Sequence, residues 1–162
     1  MAHNTSKIGY GTAIYGKLSL TDVRQVNSPH AETGGLIVKK TTVACYDKEN
    51  MNIQVVSFHG YNGQPFKSIS KLVDHVVAVL SVIPDGTRVL FAGDFNTWTK
   101  DHIDTVTGVM ARYRFTHAFS WPYPGRDLPL DHVFVRGLKV DYHETYQNES
   151  DHLGALLQIS SC

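Results

Sequence analysis

The sequence predicts an α/β (α+β) domain with a layered sheet core. Three observations lead there. Short β-branched apolar runs outnumber stretches with helical periodicity. The helical stretches fall between those runs instead of forming a block of their own. Hydrophobic residues make up 42% of 162 residues and charged residues 19%, the balance of a globular chain with one real core.

Residues 9–16 alternate small and large side chains and read as a strand. Gly34-Gly35 opens a β-branched strand from Leu36 to Lys40, and Thr42 to Tyr46 continues as another. Asp47-Lys48-Glu49-Asn50 is a hairpin turn, and the returning strand, Asn52 to Phe58, ends at His59-Gly60. The clearest helix follows. Ile69, Leu72, Val73, Val76, Val77 and Leu80 recur at three- and four-residue steps, which places one apolar stripe against a sheet. Pro84-Asp85-Gly86 stops it. Arg88 to Gly93 reads as a buried strand and Asp101 to Tyr113 as a shorter helix. Val133-Phe134-Val135 and Leu138-Lys139-Val140 are strands joined through Arg136-Gly137, and Leu153 to Ile159 closes the chain. No internal repeat interrupts this order, so residues 1–162 read as a single domain.

Composition excludes several classes. Lys plus Arg and Asp plus Glu are both 15, which argues against a general electrostatic grip on nucleic acid but leaves room for a local basic rim. The two cysteines, Cys45 and Cys162, make neither a disulfide framework nor a zinc spacing, and Cys45 reads as a packing residue. No run approaches the roughly 18 apolar residues of a membrane span. The first seven residues carry no apolar signal core, which points to the cytoplasm.

The chemistry is written at strand ends. In Gly93-Asp94-Phe95-Asn96, a buried strand delivers a carboxylate and a carboxamide two positions apart. Residues i and i+2 of an extended chain share a face, so Asp94 and Asn96 can converge on one point. A carboxylate can bind a hard cation or activate water, and Asn can hold a phosphate oxygen. Both residues are also common turn formers. Leu130-Asp131-His132 precedes one strand and Ser150-Asp151-His152 another. Either tripeptide alone could be a capping turn. Together with Asp94 they suit phosphate-ester hydrolysis, which needs a cation for the phosphate oxygens, a base for water and a hydrogen-bonding imidazole. His59, at a strand terminus, could protonate a leaving oxygen or be a turn residue. Trp98 stands just after Asn96. Trp121-Pro122-Tyr123-Pro124-Gly125-Arg126 reads as a rigid aromatic loop in which Trp121, Tyr123 and Arg126 could stack on a base, grip a phosphate or pack on one another. His30, His75, His102 and His117 carry no motif and read as surface or packing residues, with His75 near the polar side of its helix.

The order of His59, Gly93-Asp94-Phe95-Asn96, Leu130-Asp131-His132 and Ser150-Asp151-His152 resembles the endonuclease/exonuclease/phosphatase superfamily, the deoxyribonuclease I-like group. The resemblance implies a layered β-sandwich flanked by helices. It implies a Mg²⁺- or Mn²⁺-dependent phosphodiesterase of nuclease type, with Asp151 and Asp94 at the metal. Asp94 would orient or deprotonate water, Asn96 would position the phosphate, and His152, charged and oriented by Asp131, would contact it. His59 matches a general-acid histidine. Substrate contacts would fall to Asn96, Trp98, Trp121, Tyr123 and Arg126.

The resemblance also implies a departure. The family begins with an Asn strand and a Glu strand before the one matched by Tyr10 to Ile14, and that Glu is a metal ligand. The expected consequences are amino-terminal strands missing from the sandwich, weaker metal affinity, and sheet edges that a second copy or a partner chain would cover. The alternative function is a catalytically impaired remnant or split-enzyme half acting as a binding module. Glu32, Glu49, Glu144 and Glu149 lie outside the motif, although Glu149 is near Asp151.

Overall fold

The computed structural model describes residues 1–5, 11–17, 19–48 and 51–162. Its strands are β1 (Ala2–Thr5), β2 (Gly11–Ile14), β3 (Leu20–Glu32), β4 (Ile37–Lys48), β5 (Met51–His59), β6 (Arg88–Asp94), β7 (Thr116–Pro122), β8 (Pro129–Arg136), β9 (Leu138–Tyr146) and β10 (Gly154–Ser161). Its helices are α1 (Ile69–Leu80) and α2 (Lys100–Arg112). Gly9, Tyr10 and the turn residues Glu49-Asn50 lie outside the described residues.

Six strands form the central sheet, in the order β3-β4-β5-β6-β8-β7. β5 and β6 are parallel, joined by the crossover through α1, and the other neighbours are antiparallel. A parallel pair needs such a crossover, so the carboxyl ends of β5 and β6 finish side by side. Register then does the rest. His59 pairs with Asp94, Asp94 with Asp131, and Asp131 with Trp121. Four residues from four strands thus form one row across the sheet.

Alternation within the strands divides the core in two. Val43, Val56, Phe58, Phe91 and Phe134 face the helices and pack with Leu72, Val76, Val106 and Met110. Ile53, Val133 and Val135 face the other way, under the β9–β10 hairpin, while Ala44 packs with Ala2 and Ile14 of the β1–β2 hairpin. The molecule is therefore helices, sheet, then two hairpins. Among the described residues no helix covers the hairpins, so helices flank one side of the layered core.

Both helices start where their polar caps dictate. The Ser68 side chain accepts from the Lys71 amide at the start of α1, and Thr99 accepts from the His102 amide at the start of α2. The apolar stripe of α1 faces the sheet as its period requires. His75 departs from expectation. It lies on the buried side of α1, fully enclosed, with Phe58 at 4.8 Å and the Thr41 hydroxyl 3.3 Å from Nε2. Burial, followed by the charges of His59, Lys39 and His30, pulls its pKa down to about 3, so it packs as a neutral ring. The two strands expected between Leu36 and Tyr46 are one continuous strand, β4. Trp121 lies in a strand, β7, not in a loop.

Candidate active site

The row His59–Asp94–Asp131 lies at the sheet's edge, where β5 and β6 end. Close backbone approach fixes its height. Gly93, at φ 144°, leaves no room for a side chain, because a Cβ there would stand 2.0 Å from the Phe58 carbonyl oxygen. Gly60 is similarly crowded, with the Phe95 carbonyl 2.8 Å from where its Cβ would be. The two strand ends are stitched by Gly60 N–H donating to Asp94 O at 2.7 Å.

Beyond Asp94 the chain turns sharply. The Asn96 amide donates to Asp94 Oδ1 at 2.7 Å, an Asx-type turn, and Asn96 sits in the left-handed region at φ 54°, which Asn tolerates. Asn96 is buried, and one amide hydrogen goes to the Gly60 carbonyl at 3.0 Å. Its second N–H remains for the cleft that it helps to line.

That cleft has a volume of about 400 Å³, and its walls include His59, Asn62, Asp94, Asn96, Trp98, Tyr123, Asp151 and His152. Asp131 is not before its strand, as the sequence suggested, but within β8 and buried. From there Oδ2 holds His152 Nδ1 at 2.6 Å. His152 Nε2 then points towards Asp94 Oδ2, 4.0 Å away. Partial burial disfavours charge on His152, but the Asp131 hydrogen bond and the charges of Asp131, Asp94 and Asp151 outweigh it and raise its pKa. Asp151 is exposed in the turn before β10 and accepts from the Tyr123 hydroxyl at 3.1 Å, which lowers its pKa. The Tyr123 ring meets His152 edge-on at 4.9 Å. Glu149 does not line this cleft.

On the opposite flank, His59 Nε2 is 3.7 Å from the same Asp94 Oδ2. Here burial, then the positive charges of Lys39 and His152, push the pKa down to about 4. His59 is therefore neutral near pH 7, and its approach to Asp94 is not an ion pair. Asp94 itself is pushed up to about 6, first by burial and also by the charge of Asp131, against the Asn96 amide that favours its ionised form.

The rim is basic and aromatic. Trp98 donates from Nε1 to Asn62 Oδ1 at 2.8 Å. Lys67 Nζ lies 3.8 Å from its ring centre, and the Arg126 guanidinium lies 4.7 Å away while donating to the Trp98 carbonyl at 3.0 Å. Trp121 is set aside as a base-stacking residue. It is buried against Phe119, with Nε1 donating to the Leu153 carbonyl at 3.2 Å. Asn62, Lys67 and Lys39 carry no motif in the sequence, and their neighbours in space, Trp98 and His59, come from distant parts of the chain. Glu32 also lies outside the motif, yet the buried Glu32 accepts from the Asn62 amide at 2.6 Å.

Among the described residues, no group of three or more His, Cys, Asp or Glu side chains closes around one point. Asp94 and Asp151 do share the cleft wall. Two carboxylates suit a hard cation of the Mg²⁺ type, which keeps water or substrate oxygens for its remaining positions. They do not suit a closed nitrogen–sulfur zinc cage. The raised pKa of Asp94 among neighbouring acids marks a place where added positive charge would be favourable.

The profile of the Endonuclease/Exonuclease/phosphatase family matches residues 2–152. A UPF0294 protein of Vibrio vulnificus is 33% identical over 112 residues, which is 65% of this chain and 39% of the relative. The chain thus spans about two fifths of the length of the curated relatives it matches. An endonuclease/exonuclease/phosphatase protein of Beutenbergia cavernae superposes with a TM-score of 0.72 at 16% identity, over 88% of this chain and 45% of the other. D. rerio TDP2, in complex with a single-strand DNA product, gives 0.64 at 14% identity, over 88% and 68%. No described helix is long and apolar enough to cross a membrane.

Proposed function

The chain belongs to the endonuclease/exonuclease/phosphatase family, and from that premise we propose that it is a divalent-metal-dependent phosphoesterase that hydrolyses phosphodiester bonds. One observation carries this reading. Asp94 at the end of β6 and Asp151-His152 in the turn before β10, with Asp131 of β8 behind His152, converge on a single cleft.

In this mechanism Asp94 orients the attacking water and takes its proton. Burial and the charge of Asp131 raise the proton affinity of Asp94, the direction a general base needs, and a bound cation would lower it again. His152, whose charged form Asp131 favours, donates from Nε2 to a phosphate oxygen. The free N–H of Asn96 gives the phosphate a second donor. Tyr123 fixes Asp151 at the cleft mouth. Asp94 and Asp151 would hold Mg²⁺ or Mn²⁺, which when bound supplies neutralising charge for the phosphate oxygens and the leaving alkoxide. His59, neutral near pH 7, flanks Asp94 at 3.7 Å and helps to keep that carboxylate in place for the water, a supporting part and not the general-acid role that the resemblance implied.

The DNA product in the TDP2 complex supports nucleic acid as the substrate class. The Lys67, Trp98 and Arg126 rim offers cations for the phosphates that flank the scissile one. An apolar groove between β2 and β10, floored by Val55 and Val133, leaves part of the sheet face open, and that is where a second chain would dock. Sedimentation velocity tests this, and a monomer at every concentration sinks it.

The activity test is hydrolysis of bis(p-nitrophenyl) phosphate and a single-stranded oligonucleotide with Mg²⁺ or Mn²⁺. Wild type should turn over and Asp94→Ala should not. Equal inactivity of the two would leave the impaired binding module as the surviving reading.

A further inference from the structure

We propose that Lys39 is a positioning residue of this site, its ammonium holding His59 by Nε2 and fixing the imidazole beside Asp94. Lys39 comes from β4, the strand next to the one that ends in His59. Its Nζ is 2.6 Å from His59 Nε2. An ammonium group has donors only, so Nε2 is the acceptor and the ring proton lies on Nδ1.

With Lys39 as the donor, the half-buried His59 presents the Nε2 lone pair, not a proton, on the side where Asp94 Oδ2 stands 3.7 Å away. Lys39 supplies hydrogens to that corner. Burial lowers the Lys39 pKa, and the charges of Glu32 and Asp94 act against that shift. Glu32 is in turn held by the amide of Asn62, whose side chain anchors Trp98. Lys39 therefore links β4 to the end of β5 through His59, beside the Asp94 carboxylate. It does not line the cleft, so it acts through His59 and not on substrate.

This inference rests on the phosphoesterase reading for its kinetic arm only. The structural arm is the tautomer of His59, read by long-range ¹H–¹⁵N correlation of the labelled full chain. Wild type should show the Nδ1–H form with Nε2 hydrogen-bonded. Lys39→Met should shift the Nε2 resonance, and Lys39→Arg should restore it. An unchanged His59 signal in a folded Lys39→Met protein would overturn the proposal.

In the kinetic arm, with bis(p-nitrophenyl) phosphate and Mn²⁺, Lys39→Met should lower kcat by roughly 10- to 100-fold, the usual effect of losing a supporting partner. KM should stay within about twofold, with Lys39→Arg recovering most of the loss. A rise in KM alone would make Lys39 a substrate anchor and overturn the positioning role. If Lys39→Met fails to fold, the arginine variant decides: the wild-type tautomer and near-wild-type kcat support the proposal, and a lost tautomer overturns it. A wild type that hydrolyses nothing yet shows the expected tautomer behaviour would remove the activity and leave the positioning intact.

Discussion

Two imidazoles flank Asp94 at nearly the same distance, His59 at 3.7 Å and His152 at 4.0 Å, yet their proton affinities move in opposite directions. Burial acts against charge on both rings and is the leading cause at His59. The second partner then separates them. His152 leans on Asp131, whose negative charge favours the imidazolium and, with Asp94 and Asp151, outweighs burial. His59 leans on Lys39, whose positive charge adds to burial. Distance to the central acid therefore does not set the charge of a neighbouring histidine; burial and the group behind the ring do.

The strongest way to break this comparison is to remove its centre. Asp94→Asn keeps the shape and deletes the base, so kcat should fall by about 10²–10⁴-fold. Steady-state hydrolysis of bis(p-nitrophenyl) phosphate with Mn²⁺ checks it, and a loss below threefold would deny Asp94 the base role. Next, Asp131→Asn should make the two flanks alike. The pKa of His152 should drop, because the group that sustains its charge is gone, and kcat should fall roughly 10- to 100-fold. NMR titration of His152 against pH would reveal a value that stays put, and that result would show the partner argument to be wrong.

A third test uses stability. His59, His75 and His132 have folded-state values near 4, 3 and 3, all below the ordinary 6.5, with burial the leading cause in each. Above pH 6.5 these groups are neutral in both states and contribute no pH dependence. As pH falls through 6.5, the unfolded chain takes up protons that the fold refuses, and stability declines by up to about 1.4 kcal/mol per pH unit for each histidine. Asp94 works the other way. Its raised value penalises the fold as pH climbs from 3.8 to about 6. Asp131 and His152, whose values are also raised, act in the same sense as Asp94, yet the three deeply lowered rings give a net loss on acidification, measurable by urea unfolding between pH 7.5 and 4.5. A flat profile would mean that these rings accept protons within the fold. The smallest effect is expected at the rim. Arg126→Ala removes one cation from Trp98, which at about 1 kcal/mol should raise oligonucleotide KM roughly fivefold while leaving kcat unchanged. A fall in kcat instead would place Arg126 in the chemistry.

The sequence carried the β5–α1–β6 unit clearly, because α1 has an unbroken apolar stripe, β6 is a short apolar run and β5 intersperses β-branched and polar residues. Those two strands also set the parallel register that aligns His59 with Asp94. β3 was invisible for a physical reason. It is an edge strand with Pro29, bulges after Thr21 and Asn27, and many exposed polar residues, so it has no regular alternation to find. β7 was hidden because Trp121 and Pro122 resemble loop residues next to Tyr123-Pro124-Gly125. The acids and histidines of the cleft could be found from their strand-end motifs. Lys39, Asn62 and Lys67 could not, since a lysine on a strand or an asparagine after a glycine has no local signature. Only the strand order and the folded loops bring them near the cleft.

The two tryptophans stand in very different surroundings, Trp98 at the mouth between cations and Trp121 sealed against Phe119. The molecule thus carries two intrinsic optical probes. Emission from Trp98 should respond when an anionic ligand draws Lys67 and Arg126 off its ring, while emission from Trp121 should change only when the β7–β10 region comes apart. A Trp121→Phe protein would isolate the first signal and a Trp98→Phe protein the second. Occupancy and unfolding could then be followed separately by fluorescence, without an attached dye.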